Sequence, residues 1–156
     1  MYLSDNTKAP ESVGGVNEAK VLGVPAEDIG LWWRQAKPLL EKAVVYADSK
    51  IDIDFILQEL LDRNMQLWIY VDQHGNILLA SITRIVVYLH NRKRLEVILA
   101  SGEGSDDMVD VFQRMYEDFA RMHGCEAMES IGRKGWKRRL KKYGYEQTHV
   151  TLRKWL

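Results

Sequence analysis

The sequence predicts an α/β (α+β) domain with a mixed, mostly antiparallel central sheet, helices on both faces and one parallel βαβ crossover. Apolar residues recur at helical spacing in some segments and alternate in others, so both element types are expected. Three strand-like runs between residues 66 and 100 are joined by the turns Asp72–Asn76 and His90–Lys93, which indicates an antiparallel meander. A helical segment separates the strands Leu95–Ala100 and Cys125–Ile131, and it needs a sheet face to cover.

The elements follow in order along a single domain, residues 19–156, which a polar arm, residues 1–18, precedes. A short strand around Ala19–Val24 leads into a helix that begins after Pro25. Pro38 is expected to interrupt or kink that helix, because proline removes a backbone hydrogen bond.

A second helix begins at Asp52, whose side chain is expected to cap its amino terminus, and it ends near Asn64. The strands of the meander then follow at Gln66–Val71, Ile77–Tyr88 and Leu95–Ala100.

A long amphipathic helix over Met108–Met122 ends before Gly124, a common way for a helix to stop. The strand Cys125–Ile131 and a basic helix over Arg133–Tyr143 come next. Alternating residues predict a final strand over Tyr145–Trp155.

Composition argues against several classes of protein. Lysine and arginine number 22 and so do the acids, which argues against a dedicated nucleic-acid binder. Cys125 has no partner for an intramolecular disulfide, and the histidines lack ligand spacing, so we expect a reducing compartment and no metal site. No apolar run approaches the roughly 20 residues of a membrane span, and no signal-peptide pattern is present. We therefore expect a cytoplasmic protein with no membrane partner.

The last third of the chain carries a family resemblance. The sequence motif Gly132–Trp136 (GRKGW), with a later Gly144-Tyr145, resembles motifs in small proteins of the Gcn5-related N-acetyltransferase (GNAT) type that tailed phages encode. The element order over residues 19–156 resembles the GNAT fold. This resemblance implies acetyl-CoA as the cofactor if the chain is active, and a location in the host cytoplasm or the virion.

The resemblance also identifies a candidate cofactor loop. In GNAT enzymes the loop after the fourth strand holds a pyrophosphate with backbone N–H groups at a helix amino terminus. The matching backbone amides are those of Gly102, Gly104 and Ser105, but the family's Arg or Gln is absent and the loop is acidic, with Glu103, Asp106 and Asp107. Either these acids repel a pyrophosphate, so that no cofactor binds, or Asp106 simply caps the helix and the other acids stabilise its dipole.

The general acid of the family is a tyrosine on the last helix, which protonates the leaving thiolate. That position falls on Leu140, which cannot donate a proton. Tyr143 is the nearest candidate hydroxyl, although three residues along a helix rotate it by about 300° from the direction of Leu140.

The general base of the family is often a carboxylate on a central strand. Glu96 and Glu129 are the candidates, with Glu126 beside them, because a buried carboxylate has a raised pKa suited to a base. Alternation places Glu96 on the opposite face from both Val97 and Leu99. A solvated strand face explains these acids equally well.

Seven cations crowd the last helix: Arg133, Lys134, Lys137, Arg138, Arg139, Lys141 and Lys142. Such a run can meet phosphates or an acidic protein, or it can be a solvated face that balances the acidic segment before it. We take four of these cations as interaction residues for another phage or host protein, namely Arg133, Lys137, Arg138 and Lys141. Nucleic acid is the less favoured partner because aromatic residues are sparse in the run.

Two functions therefore compete. With degenerate acyl-CoA and general-acid motifs, the chain is expected to be a structural or interaction component of a virion or of phage assembly, with weak or no catalysis. That function predicts a blocked acyl-CoA site. The alternative is an active acyl-CoA-dependent N-acetyltransferase acting on an amine, which predicts an opening between the fourth and fifth strands.

Overall fold

A computed structural model of the chain describes residues 20–48, 50–103, 105–132 and 134–156. These residues form the strands β1 (Lys20–Val24), β2 (Gln66–Val71), β3 (Ile77–Val87), β4 (Lys93–Gly102) and β5 (Cys125–Ser130). They also form the helices α1 (Ile29–Val44), α2 (Ile53–Leu61), α3 (Asp106–Met122) and α4 (Lys134–Leu140). The predicted arm over residues 1–18 and the candidate residues Gly104 and Arg133 lie outside the described residues.

The five strands form one sheet in the order β1-β2-β3-β4-β5. The pairs from β1 to β4 are antiparallel, and β5 runs parallel to β4 with Lys93 opposite Cys125 and Val97 opposite Ser130. Because α3 connects β4 to β5, the predicted meander and the predicted parallel βαβ crossover are both confirmed.

Alternation along the strands divides the apolar residues between two cores. On one face, Leu67 and Ile69 of β2 pack with α1 and α2. On the other face, Trp68 packs edge-on against Tyr116 and Phe119 of α3, with ring centroids 5.6 and 5.3 Å apart. Full burial of such a side chain contributes about 1.5–3 kcal/mol, so both sheet faces hold their helices by apolar contact.

α1 runs unbroken from Ile29 to Val44, so the expected interruption at Pro38 is wrong. Pro38 lacks the N–H that would bond to the carbonyl of Arg34. Both residues are exposed, so water can bond to that carbonyl and the helix continues.

The cap predicted for the second helix is confirmed. The Phe55 N–H donates a hydrogen bond of 2.8 Å to Oδ1 of Asp52, the residue before α2. This bond satisfies one of the amide groups that a helix start leaves without an intrahelical partner.

The predicted final strand is wrong, because Tyr145–Trp155 has no regular secondary structure. Alternation predicts a strand only where a sheet offers an apolar surface to one of its faces. On one alternating face Val150 and Leu152 are 65% and 91% exposed, and on the other Trp155 is 83% exposed, so neither face is buried along this segment. Individual side-chain contacts hold this segment instead.

Gly102, at the end of β4, gives a test of the packing between β3 and β4. Its φ is +139°, and an added Cβ would lie 2.1 Å from the Leu78 carbonyl oxygen. We expect Gly102→Ala to lower the free energy of unfolding by at least about 1–3 kcal/mol in urea denaturation. Gly30→Ala in α1, where a Cβ meets nothing within 4 Å, is the matched control and should be neutral or stabilising by up to about 1 kcal/mol. Equal stability of the two variants would contradict the close approach.

Candidate functional site

β4 and β5 diverge after Val97, and a cavity of about 340 Å³ lies at this divergence. The Ile131 N–H donates to the Val97 carbonyl at 3.3 Å, which continues the pairing for one residue beyond β5. β4 then extends to Gly102 without β5 beside it. The opening between these strands that the enzyme hypothesis predicts is therefore present.

A bulge in β4 lies at the start of the opening. Val97 pairs with Thr83 and Leu99 pairs with Ile82, so Ile98 is an extra residue on β4. As a result Val97 belongs to the core beside α3, whereas Leu99 belongs to the core beside α1. The expectation that Val97 and Leu99 share a face is wrong, because the extra residue reverses the alternation.

Three helices supply the walls of the cavity. α3 contributes Val109, Phe112, Gln113 and Tyr116, the end of α1 contributes Lys42 and Ala43 with Tyr46 just beyond it, and α4 contributes Trp136, Arg139 and Leu140. Within the described part of the chain this lining contains two cations and no carboxylate. Such a lining favours a neutral or anionic ligand with apolar parts.

A pair of buried hydroxyl groups lies in the cavity wall. Ser81 of β3 and Tyr116 of α3 share a hydrogen bond in which either oxygen can be the donor. The two residues are 1% and 3% exposed. Burial raises the pKa of Tyr116 well above its usual range, although the bond to Ser81 opposes that shift. Tyr116 is therefore protonated at neutral pH.

Gln113 connects the cavity to the carboxyl-terminal segment. Its Oε1 accepts a hydrogen bond of 3.0 Å from the Tyr145 hydroxyl. Burial raises the pKa of Tyr145 to about 12, so this hydroxyl also keeps its proton at neutral pH.

The amino terminus of α3 differs from the sequence expectation. Ser105 is the N-cap, and its Oγ accepts a hydrogen bond of 3.4 Å from the Met108 N–H, so the expected cap at Asp106 is wrong. Asp106 is the first residue of the helix, where its charge favours the dipole. Arg139 Nη2 lies 3.4 Å from Asp106 Oδ1 and offsets this one acid of the loop.

The candidate bases do not line the cavity. Glu96 is 5% exposed, and its Oε1 accepts a hydrogen bond of 2.9 Å from Arg84 Nη2. Glu129 is half-buried, accepts a hydrogen bond from the Tyr88 hydroxyl at 3.2 Å, and lies 3.4 Å from Arg94 Nη1. Both carboxylates are thus engaged by neighbours on the sheet rather than directed into the opening.

The candidate acid Tyr143 also lies away from the cavity. Its hydroxyl donates to Asp110 on α3, and this bond lowers the pKa of the Asp110 carboxyl. Leu140, at the position of the family tyrosine, is buried and does line the cavity. The structure therefore places Glu96 and Glu129 opposite each other on β4 and β5, but the bond to α3 holds Tyr143 apart from them.

The basic helix divides its charges between two roles. Arg139 pairs with Asp106, and Lys142 lies 3.5 Å from Asp110, so these two cations attach α4 and the turn after it to α3. Lys137, Arg138 and Lys141 are exposed, and no ion pair joins them to another described residue.

Sequence reasoning missed Ser81, Tyr116 and Gln113 as site residues. Ser81 sits in an apolar run and Tyr116 in an amphipathic helix, and 35 residues separate them. A hydroxyl on the buried face of each element was the available signal, but only the fold shows that the two hydroxyls meet.

The residues that the structure describes contain neither a candidate metal site nor a candidate membrane-spanning helix. No group of three or more His, Cys, Asp or Glu side chains there could hold a metal ion. Among the same residues, no helix combines the length and apolar character needed to cross a membrane.

Solved acetyltransferase structures resemble this chain over most of its length. An acetyltransferase from Trypanosoma brucei matches 89% of this chain and 100% of its own, with a TM-score of 0.60 and 11% identity. Glucosamine-6-phosphate N-acetyltransferase from Arabidopsis thaliana matches 88% and 97%, with a TM-score of 0.59 and 11% identity. A predicted acetyltransferase from Clostridium acetobutylicum, solved with acetyl-CoA, matches 86% and 94%, with a TM-score of 0.61 and 17% identity.

These structures establish the fold of the chain. No protein-family model and no curated protein matches the sequence. At 11 to 17% identity the structural likeness shows the fold alone. The chain has the GNAT fold of these acetyltransferases, while its resemblance to proteins of tailed phages stays a prediction.

The buried hydroxyl pair predicts a measurable coupling in stability. Ser81→Ala or Tyr116→Phe alone leaves one buried hydroxyl without the partner described here, and each should cost about 1–3 kcal/mol of unfolding free energy. The double variant should cost less than the sum of the two, because both partners are then gone. Thr151→Val, an exposed hydroxyl loss, should stay within about 0.5 kcal/mol of the parent. Strict additivity in urea denaturation would show that the two hydroxyls are not bonded.

Proposed function

We propose that this chain binds an acyl-CoA in the cavity between β4 and β5 and transfers the acyl group to an amine. The observation that carries the proposal is the opening beyond Val97, where β4 continues to Gly102 without β5 beside it. An unpaired strand edge offers backbone donors and acceptors to a ligand that carries amide groups. The GNAT fold shared with solved acetyltransferases supports the same assignment.

The residues around the opening fit an elongated ligand with an anionic end. The start of α3 presents a helix amino terminus, which favours anions. Lys42 and Arg139 add positive charge to the lining. Glu103 and Asp107 oppose an anion, and each unit charge at about 4 Å is worth from ~1 kcal/mol in water to ~4 kcal/mol near a protein surface. We therefore expect binding that is weak and sensitive to salt.

The chemistry needs a proton donor inside the cavity. Acyl-CoA supplies an activated thioester when bound. Leu140 cannot protonate a departing sulfur, but the Tyr116–Ser81 pair holds a proton at the cavity wall at neutral pH. A donor with a raised pKa is a weak acid, so we expect slow turnover.

The acceptor amine lacks a protein base at this site. The described lining contains no carboxylate, and both Glu96 and Glu129 lie outside it. The amine must then lose its proton to solvent, and the rate should rise with pH up to the pKa of the amine.

Calorimetric titration with acetyl-CoA tests the proposal. We expect binding to the parent protein, and loss of that binding in Ser130→Trp, whose side chain would enter the cavity. Ala127→Trp is the matched control, because Ala127 is an exposed residue on the same strand that does not line the cavity. Glu103→Gln combined with Asp107→Asn should tighten binding, most clearly at low salt. Equal affinity of the two tryptophan variants would place the ligand elsewhere.

A thiol-release assay with acetyl-CoA and a primary amine tests the role of Tyr116. Tyr116→Phe should bind acetyl-CoA as the parent does but lose about 10²-fold or more in kcat, the usual range for a general acid. Glu96→Gln should keep its kcat if protein folding is intact, since that carboxylate lies outside the cavity. Unchanged kcat in Tyr116→Phe would remove this residue from the mechanism.

A second function is favoured by one specific observation. Leu140, which the resemblance aligns with the GNAT tyrosine, lines the cavity, while Lys137 and Arg138 on α4 and Lys141 just after it are exposed and form no ion pair with another described residue. These features support an interaction component, such as a phage or virion protein, that keeps the scaffold and docks an acidic protein through α4. A parent protein that gives no heat with acetyl-CoA would favour this second function over the first.

A further inference from the structure

The carboxyl-terminal segment, residues 145–156, has no regular secondary structure, yet it is attached at two points. Near its start, the Tyr145 hydroxyl donates to Gln113 Oε1 on α3. Near its end, Arg153 donates two hydrogen bonds to the Asp48 carboxylate, one of them at 2.6 Å between Nη1 and Oδ1.

The two attachment points lie on opposite sides of the cavity. Gln113 lines it from α3, and Asp48 lies two residues beyond Tyr46, which lines it from the end of α1. α3 and α1 cover opposite faces of the sheet. Residues 146–152 therefore connect a contact on α3, at the cavity wall, with a contact just beyond the end of α1.

The two attachments differ in strength. The Tyr145 hydroxyl is largely removed from water, so its bond to Gln113 is costly to break. Arg153 and Asp48 have side chains that are 39% and 43% exposed, and an ion pair this exposed is screened by salt and exchanges readily. The distal part of the segment can thus detach while the proximal part stays in place.

Asp48 is also a carboxylate that already holds a cation. Arg153 bonds to it through two nitrogens, the geometry in which carboxylates bind guanidinium groups. An ammonium group from solution can contact the same carboxylate through its single nitrogen. Arg153 therefore competes with cations from solution for the Asp48 carboxylate.

We propose that residues 146–156 form a strap beside the cavity, that Arg153 latches it on Asp48, and that amines with a second cationic group open it by taking the place of Arg153. The strap then favours diamines and polyamines over monoamines as acceptors. The selectivity among acceptor amines rests on the proposed function, whereas the latch and its release involve no acyl-CoA.

Fluorine NMR of the full chain labelled with 5-fluorotryptophan tests the latch. Trp155 reports on it because the Arg153 guanidinium lies over its ring, 5.1 Å from the centroid, and Trp155→Phe assigns its signal. Spermidine should move this signal to the position seen in Asp48→Asn, a variant that keeps Arg153 next to Trp155. Butylamine at matched ionic strength should leave it in place. Asp48→Asn, which suits the left-handed backbone of this residue (φ 60°), should show the released position and no response to spermidine.

Lys154→Gln is the control, since it removes a neighbouring tail cation for which the structure describes no ion pair. This variant should respond to spermidine as the parent does. A Trp155 signal that is the same in the parent and in Asp48→Asn would overturn the latch. Equal shifts with spermidine and butylamine would show that salt alone releases the strap, which would overturn the selectivity.

Acetyl transfer then separates this inference from the proposed function. In the thiol-release assay, Asp48→Asn should reduce the preference for spermidine over butylamine several-fold in kcat/KM. Absence of any transfer in the parent would refute the proposed function, and the NMR result would still decide the latch. Transfer with an unchanged preference in Asp48→Asn would refute the role of the latch in selectivity alone.

Discussion

The unequal pairing of β4 is the constraint on which the site depends. β4 pairs with β3 over nearly its whole length but with β5 only as far as Val97. The bulge at Ile98 falls where β5 departs, and it sends Val97 and Leu99 into different cores. Both cores therefore meet at the base of one opening, and helices from both faces of the sheet can line it. A regular β4 would keep Val97 and Leu99 in one core, and a longer β5 would fill the cavity with backbone.

The short helix α4 closes the cavity through a few specific contacts. It has only seven residues, too few for stable helix formation without tertiary packing. Leu140 is buried, and a Cβ on Gly132 would lie 3.1 Å from Trp136 Cδ1, so a larger residue there would require this ring to move by a few tenths of an ångström. The ion pair of Arg139 with Asp106 adds at most about 1 kcal/mol because both groups are partly exposed. Within the motif GRKGW, the close contact between Gly132 and Trp136 is thus a packing feature of the cavity wall.

The elements that sequence predicts well are those decided by local burial. The predicted bounds of β2 and the predicted end of α3 agree with the structure. In both segments the spacing of the apolar residues indicates which face is covered. The errors at Pro38, at the strand over Tyr145–Trp155 and at the facing of Leu99 share one cause. Each depends on what lies next to the segment in space: solvent beside Pro38, no apolar surface beside the tail, and an inserted residue before Leu99. The same limit hid the contact between Ser81 and Tyr116, whereas Gly102, which a local loop motif singles out, does line the cavity.

In the proposed function the proton donor lies on α3, whereas GNAT enzymes carry it on the last helix, and the fold is the same in both cases. Leu140 on α4 and Tyr116 on α3 line the same cavity, so under the proposed function Tyr116 can supply the proton that Leu140 cannot. The change has a chemical consequence, because burial that keeps Tyr116 protonated also makes it a weaker acid. The acids Glu103 and Asp107 act in the same direction at the other end of the cavity by weakening the binding of an anion. Under the proposed function, slow chemistry and weak binding are therefore two expected consequences of one sequence on the GNAT fold.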